Sequence, residues 1–211
     1  YRLWEVAESL KRADQLFLLN DEDRSVAIGE LGVSSQRIAV LPNGVNQAFH
    51  NQPKPSTRTG SISLAFAGAW LERKGKNVVV QTLTELQKAG LDFEITLYGT
   101  IQDEAAVLSD FPTDIKSRII VIPRYANTDL PTMLRNHEIF LFPSRSEGFG
   151  LALIEAMACG LAPISTPVGV APTTIDNGVN GLIVPIDDAP AFAAAVLDLA
   201  KSREQLLDMR K

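Results

Sequence analysis

The chain has 211 residues, 45% of them hydrophobic, which is enough for one large domain or for one domain with part of another. Its net charge of −5 comes without a basic stripe, which argues against a nucleic-acid partner. No apolar run reaches the ~20 residues needed to span a membrane. The single cysteine, Cys159, excludes an internal disulfide and is typical of a reducing, cytoplasmic location. The first thirty residues carry scattered charges, unlike a signal peptide.

The first sixty residues differ in pattern from the rest. Residues 16–19 and 37–41 are β-rich, and residues 21–31 between them are helical with an acidic first turn. A polar stretch that ends at Gly60 contains two prolines and no hydrophobic period. We interpret this stretch as part of a boundary. It divides the chain into a first domain segment, a linker and a second domain, at residues 1–42, 43–60 and 61–211.

Strands and helices alternate from residue 61 onward. The predicted strands are residues 63–69, 94–99, 119–123, 138–143, 162–166 and 181–186. Helical patterns separate them, and one long amphipathic helix is predicted at residues 190–210. This order predicts an α/β fold, a Rossmann-like doubly wound parallel sheet of six strands with helices on both faces. Ligands of such sheets bind beyond the carboxyl ends of the strands.

The helix predicted to begin at Leu151 carries a single carboxylate, Glu155, in the sequence LALIEAMACG. A helix that is apolar on every face is typical of a buried position. A buried ionised carboxylate is costly unless it is paired, so Glu155 needs either a ligand or an arginine elsewhere in the chain. Glycines before the helix leave backbone N–H groups open at its positive end, which favours a phosphate.

Two further groups of charged residues stand near predicted strand ends. Glu147 precedes the helix and is separated from Glu155 by seven residues; alone, it would be a charge that stabilises the helix dipole. Arg73 and Lys74 lie in the segment GAWLERKG, residues 68–75. Two cations at a strand end can offset the charge of a bound anion, although alone such a pair is more often solvated. The segment is not G-x-G-x-x-G, which argues against a dinucleotide-dependent dehydrogenase.

Taken together, these motifs resemble those of family 4 retaining glycosyltransferases, which have the two-Rossmann-domain (GT-B) architecture. The most specific match is PSRSEGFGLALIEAMACG, residues 143–160, and weaker ones are LPNGV at residues 41–45 and GVNGL at residues 178–182. The resemblance covers roughly residues 13–200. It implies that residues 61–211 are the C-terminal, nucleotide-sugar (donor) binding domain and that residues 1–42 are the end of the N-terminal domain.

The resemblance also implies roles for single residues. Glu147 is the catalytic-site residue that contacts the sugar hydroxyls, and Glu155 accepts hydrogen bonds from the ribose. The diphosphate is expected at two side chains and three backbone N–H groups, those of Arg73, Lys74, Phe149, Gly150 and Leu151. A weaker match places the base near Arg124 and Tyr125, where a plain surface aromatic is an equally good interpretation of Tyr125.

The implied function is the transfer of a hexose from a nucleoside diphosphate sugar, with retention, to a glycan, lipid or small-molecule acceptor. No metal or other cofactor is expected. The alternative is a non-catalytic nucleotide-sugar-binding module, but intact Glu147, Glu155, Arg73 and Lys74 favour the enzyme.

Most of the acceptor site, and any peripheral membrane contact, are expected on the remainder of the N-terminal domain. We therefore expect the chain alone to be inactive or weakly active. The sequence departs from the family pattern at Ala69, where an arginine is frequent, and at Val170 and Thr173, where a glycine and an acidic residue are usual.

Overall fold

The computed structural model describes residues 2–50 and 60–211, which form two compact units. The first unit ends at Gly44 and the second begins at Val45. Half of the predicted linker, residues 51–59, lies outside the described residues. The other part of it contains a short helix that belongs to the second unit.

The first unit is built on two short parallel strands, which pair residue for residue from Leu16 with Ile38 to Leu18 with Val40. Its elements are α1 (Arg2–Arg12), β1 (Leu16–Leu18), α2 (Asp21–Gly29) and β2 (Ile38–Val40). A small core of buried side chains joins them: Leu16, Ala27, Val33 and Ile38. The sequence pattern predicted both strands and α2, and it missed α1.

The second unit contains a six-stranded parallel sheet of order β5-β4-β3-β6-β7-β8, which confirms the predicted fold class. Its strands are β3 (Ile62–Ala67), β4 (Phe93–Tyr98), β5 (Ile119–Ile122), β6 (Ile139–Phe142), β7 (Ala162–Ser165) and β8 (Leu182–Ile183). Its helices are α3 (Gln47–His50), α4 (Lys76–Lys88), α5 (Glu104–Ser109), α6 (Leu130–Leu134), α7 (Leu151–Ala158), α8 (Ala171–Thr174), α9 (Ala189–Lys201) and α10 (Arg203–Met209).

Both faces of this sheet are covered, because successive side chains of a strand point to opposite faces. In β3, Leu64 and Phe66 join a core cluster shared with α4, α9 and α10. Ala65 and Ala67 join a second cluster, shared with α6 and α7. The strands are therefore apolar throughout, as expected of a parallel sheet between two layers of helices.

The single long helix predicted at residues 190–210 is wrong, because the structure has two helices that meet at Ser202. The backbone of Ser202 (φ −110°, ψ 76°) is not helical. The bend allows α10 to place Leu206 and Met209 in the core and to bring Arg203 and Arg210 to the buried carboxylate of Glu138. Burial and charge pairing at the end of the sheet thus override the continuous helical pattern.

The order of the strands reverses between β3 and β6. From β3 the chain proceeds outward to β4 and β5, and it then returns to the other side of β3 as β6. Such a switch point opens a crevice at the carboxyl ends of the two strands, where ligands of doubly wound sheets bind. The loops that follow β3 and β6 are the segments that carry Arg73, Lys74 and Glu147. None of the helices in the described residues is both long and apolar enough to cross a membrane.

Candidate functional site

The loops that follow β3 and β6 lie directly against each other. Gly75 has φ 77°, and a Cβ atom there would lie 2.1 Å from the carbonyl oxygen of Pro143, so only glycine fits. The backbone N–H of Arg145 donates to the carbonyl of Arg73 at 2.8 Å. These contacts fix the distance between the basic segment of one loop and the acidic segment of the other.

Lys74 and Glu147 meet across this junction. The ammonium of Lys74 donates to Oε1 of Glu147 at 2.5 Å, and the Glu147 and Lys74 side chains are only 8% and 19% exposed. The hydroxyl of Ser144 donates to the same oxygen at 2.6 Å. The sequence indicated that these residues lie on neighbouring loops, but it gave no sign that they would contact each other.

Arg73 differs from its neighbour in having an exposed guanidinium without a hydrogen bond or ion pair inside the described part of the chain. The arginine of the opposite loop, Arg145, is already paired, with Asp187 at 2.6 Å and with Glu72 at 3.9 Å. Arg73 is therefore the cation at this junction that is open to an anion from solvent.

The N-terminus of α7 begins at the same crevice. Gly150 takes a left-handed conformation, with φ 97°, immediately before Leu151 begins the helix. Within the described residues the N–H groups of Phe149, Gly150 and Leu151 donate no hydrogen bond. The N–H of Val170, in contrast, donates to the carbonyl of Phe149 at 2.7 Å and is not open to a ligand.

Glu155 lies about one turn along α7 and is partly buried. Its carboxylate has no hydrogen bond or ion pair to any residue in the described ranges. Burial raises the pKa of Glu155 above its ordinary value. The sequence left open an arginine partner for Glu155, and the described chain contains none. The negative charge of Glu155 therefore has no compensating partner there.

The prediction that α7 is buried on every side is wrong. Among its residues Leu153 and Ala156 are buried, Leu151 is 44% exposed, and the others are partly exposed. Only one face of α7 packs on the sheet, through the cluster it shares with α6, and the side of the helix that carries Glu155 lines a pocket.

This pocket, of about 450 Å³, places Glu155 beside Tyr125. The Tyr125 ring packs edge-on against Tyr98, with a centroid distance of 6.2 Å, and the pKa of its hydroxyl is raised by burial and by the nearby Glu155 charge. Arg124 is exposed and does not line the pocket. The lining also includes residues that the sequence did not indicate as site residues: Asn46, Ala48, Phe49, Asn127, Thr128 and Leu130.

Two of these missed residues had a weak signal. Asn46 adjoins the LPNGV motif, and Phe49 is the buried residue of α3, the helix within the predicted linker. Asn127 and Thr128 lie in the turn after β5 and follow no pattern that distinguishes them from other polar turn residues. Their place in the pocket depends on how that turn packs, which a sequence pattern does not show.

Two other reactive side chains, Cys159 and His137, are buried. Cys159 is buried, and its thiol pKa is raised to about 12, chiefly by burial and also by the Glu155 charge. His137 is hydrogen-bonded between the hydroxyls of Ser63 and Tyr98, at 2.9 and 2.7 Å. Within residues 2–50 and 60–211, no group of three His, Cys, Asp or Glu side chains could hold a metal ion.

Residues 61–202 match the family described as glycosyl transferases group 1, and the chain belongs to this family. A curated relative is the D-inositol 3-phosphate glycosyltransferase of Mycobacterium ulcerans, 28% identical over 200 residues, which are 90% of this chain and 43% of that protein. The chain thus spans about half the length of the curated relatives it matches.

Solved structures share the fold across the chain. The sucrose-phosphate synthase of Thermosynechococcus elongatus aligns with a TM-score of 0.84 at 20% identity, over all of this chain and 55% of that one. Anabaena HepE in complex with UDP-glucose aligns with a TM-score of 0.81 at 16% identity, over 99% of this chain and 60% of that one. Together with the six-stranded sheet, these likenesses establish the Rossmann-like fold of a GT-B glycosyltransferase domain.

Proposed function

We propose that this chain is the donor-binding half of a retaining, family 4 hexosyltransferase and that the pocket and crevice of its second unit bind a nucleoside diphosphate sugar. Residues 61–211 form the donor domain in this proposal, and residues 1–42 are the end of the acceptor domain. One of the solved structures with the same fold contains UDP-glucose, which supports a nucleotide sugar as the class of ligand.

The observation that carries this proposal is Glu155, which has no partner among the described residues and lines a pocket together with Tyr125. A partly buried carboxylate without a partner is stabilised by a ligand that donates hydrogen bonds. The vicinal diol of a ribose has two such donors. An aromatic ring next to the diol site suits a nucleobase, since Tyr125 offers a face or edge for stacking.

The position of Glu155 along α7 indicates where the phosphates bind. At 1.5 Å per residue, the open N-terminus of α7 lies ~7–8 Å from Glu155, roughly the step from a ribose to its diphosphate. The N–H groups of Phe149, Gly150 and Leu151, which donate to no described residue, and the positive end of the helix favour an anion there. Arg73 and Lys74 add two cations from the adjoining loop.

Sugar transfer then places negative charge on the departing diphosphate. The bond between the anomeric carbon and the diphosphate oxygen breaks, both electrons leave with the diphosphate, the acceptor hydroxyl oxygen bonds the carbon, and the hydroxyl proton passes to the departing diphosphate. Fixed cations and N–H groups stabilise this developing charge without reorganisation. Because these groups offset the charge, the proposed reaction requires no metal. Glu147, which contacts Lys74, orients the hexose.

A thermal-shift panel of nucleosides, nucleoside diphosphates and their sugars, with uracil, guanine and adenine as bases, tests the proposal. A ligand present at 100 times its dissociation constant adds about 2.7 kcal/mol to the free energy of unfolding. We expect stabilisation by one diphosphate and its sugar and a smaller effect from the matching nucleoside. If no nucleotide stabilises the chain at millimolar concentration, the proposal is wrong.

Catalysis is tested separately by mixing the chain with the selected nucleotide sugar and a pool of glycan, lipid and small-molecule acceptors. Transfer requires the donor and acceptor to be held together with water excluded. We expect slow release of nucleoside diphosphate or none, because the chain spans about half the length of its curated relatives and, in this proposal, the other half carries most of the acceptor site. Turnover of ~1–1000 per second, the usual enzyme range, would contradict this division of labour.

A further inference from the structure

Ser144 is a buried residue that donates a hydrogen bond to Glu147, as Lys74 does. The residue is 2% exposed, and its hydroxyl donates to Oε1 of Glu147 at 2.6 Å. Lys74 donates to the same oxygen at 2.5 Å. One carboxylate oxygen thus receives both donors, whereas Oε2 of Glu147 accepts no hydrogen bond from the described residues.

Ser144 itself is held by the neighbouring strand. The hydroxyl of Thr166, at the end of β7, donates to the carbonyl of Ser144 at 2.5 Å and to that of Phe142 at 3.3 Å. On the other side, the N–H of Arg145 donates to the carbonyl of Arg73. The backbone around Ser144 is therefore fixed by contacts that do not involve its hydroxyl.

We propose that Ser144 is a positioning residue for sugar recognition: with Lys74 it holds one oxygen of Glu147 and directs the other, Oε2, to a hydroxyl of the donor sugar. This inference rests on the function proposed above and adds to it a division between ligand groups. The nucleoside and the diphosphate contact Glu155, Arg73, α7 and a remaining N–H of the Lys74 ammonium, which has three donors, and only the sugar contacts Glu147.

The physical reason is the orientation of a carboxylate. The terminal torsion of a glutamate is broad, so that a single donor leaves the plane of the carboxylate free to turn. Two donors on one oxygen restrict that plane before the ligand arrives, and preorganisation of this kind lowers the cost of binding. Removal of the Ser144 hydroxyl should therefore weaken binding of the nucleotide sugar and leave the affinity for the nucleoside diphosphate unchanged.

The test is calorimetric titration of the 211-residue chain with matched ligand pairs: UDP and UDP-glucose, GDP and GDP-mannose, ADP and ADP-glucose. For the pair that the wild type binds, we expect Ser144→Ala to weaken the nucleotide sugar roughly five- to tenfold, the size of one lost hydrogen bond. Affinity for the nucleoside diphosphate should change less than twofold. Glu147→Gln should show the same selectivity with a larger loss.

Ser146→Ala is the matched control, because Ser146 lies in the same loop, is exposed, and makes no hydrogen bond with a described residue. It should change neither affinity. Equal losses for both ligands in Ser144→Ala, or no loss for either, would overturn the proposal, since a residue that only supports the loop does not distinguish them. If the wild type binds none of the six ligands, the proposed function itself fails, and this inference fails with it.

Discussion

Two glutamates on opposite ends of the same sheet have opposite surroundings. Glu138, at the amino end of β6, is 1% exposed and is paired with Arg203 at 3.1 Å and Arg210 at 3.9 Å. It also accepts from the N–H of Ser63 at 3.2 Å. Glu155, on the helix that follows the carboxyl end of β6, is less buried and has no partner in the described chain.

The two glutamates therefore differ in role: Glu138 stabilises the fold, and Glu155 is available to a ligand. Glu138 pairs with Arg203, the first residue of α10, and with Arg210, which follows its last residue, and so joins this helix to the sheet. Glu155 contributes nothing of this kind to folding, because burial raises its pKa without a compensating bond. We infer that the amino end of the sheet is satisfied by the protein and that the carboxyl end is completed by a ligand.

Backbone strain has the same distribution. The non-glycine residues with positive φ in the described chain are Ile101, at φ 66°, and Asp187, at φ 61°. Both lie in loops at the carboxyl ends of strands, after β4 and after β8. Strained backbone tends to persist where function requires it. The position of these two residues therefore agrees with a functional role for the carboxyl end of the sheet.

The largest effect is expected at the satisfied end. Glu138→Ala leaves Arg203 and Arg210 without their carboxylate and should lower the free energy of unfolding by about 3–5 kcal/mol, the cost of breaking a buried ion pair. Urea denaturation measures this loss. Asp92→Ala, which removes the exposed pair with Arg118, is the control and should cost less than about 1 kcal/mol. Equal costs for the two variants would remove the contrast.

At the carboxyl end, Arg73→Met should weaken binding of the selected nucleoside diphosphate by about tenfold or more, because it removes a charge-assisted contact. Binding of the nucleoside should be unchanged. Calorimetric titration with both ligands gives the comparison, and Lys76→Met is the matched control, since Lys76 pairs with Asp110. A similar loss for nucleoside and diphosphate would place the phosphates elsewhere.

Ile101→Asn should raise the free energy of unfolding by about 0.5–1 kcal/mol, because asparagine tolerates the left-handed conformation better than a β-branched residue. Chemical denaturation measures the gain. The control is Ile120→Asn, a similarly exposed isoleucine within β5, where asparagine is disfavoured and should destabilise the protein. A loss of stability in Ile101→Asn would show that its backbone carries no removable strain.

The smallest effect is the pH dependence of Glu155→Gln in the empty protein. The pKa of Glu155 is raised in the folded state, so the folded protein favours the protonated form. The stability that this group contributes is complete below its unfolded pKa, about 4.3, and is lost as the pH rises through the folded value. The variant should therefore exceed the wild type in stability at pH 7, and the difference should shrink as the pH falls to about 4. If the difference in stability is independent of pH, its cause is packing and not the charge of Glu155.

Much of the fold follows from local pattern. The alternation of apolar strands with helices predicted all six strands of the sheet, because buried parallel strands and amphipathic helices have different periods. Helix α1 was missed, although Val6 and Leu10 have helical spacing, because charged residues surround them. The break at Ser202 was missed because it depends on a distant carboxylate, Glu138.

The site was predictable to the extent that it depends on topology. Strand ends at the switch point bring together the loops of Lys74 and Glu147, and the motif around Glu155 placed it near a helix N-terminus. The contact between Lys74 and Glu147 and the donor from Ser144 depend on how the two loops abut at Gly75, which no pattern encodes. The lining residues Asn127 and Thr128 were missed for the same reason.

The central claim is that Glu155 is kept for a ligand, and calorimetric titration of Glu155→Gln with the selected nucleoside diphosphate tests it most directly. The variant keeps the shape of the side chain and loses the charge that accepts the ribose hydroxyls. We predict a folded protein with affinity reduced by about ten- to a hundredfold, since the hydrogen bonds involve a charged group. Unchanged affinity in a folded Glu155→Gln variant would contradict the account.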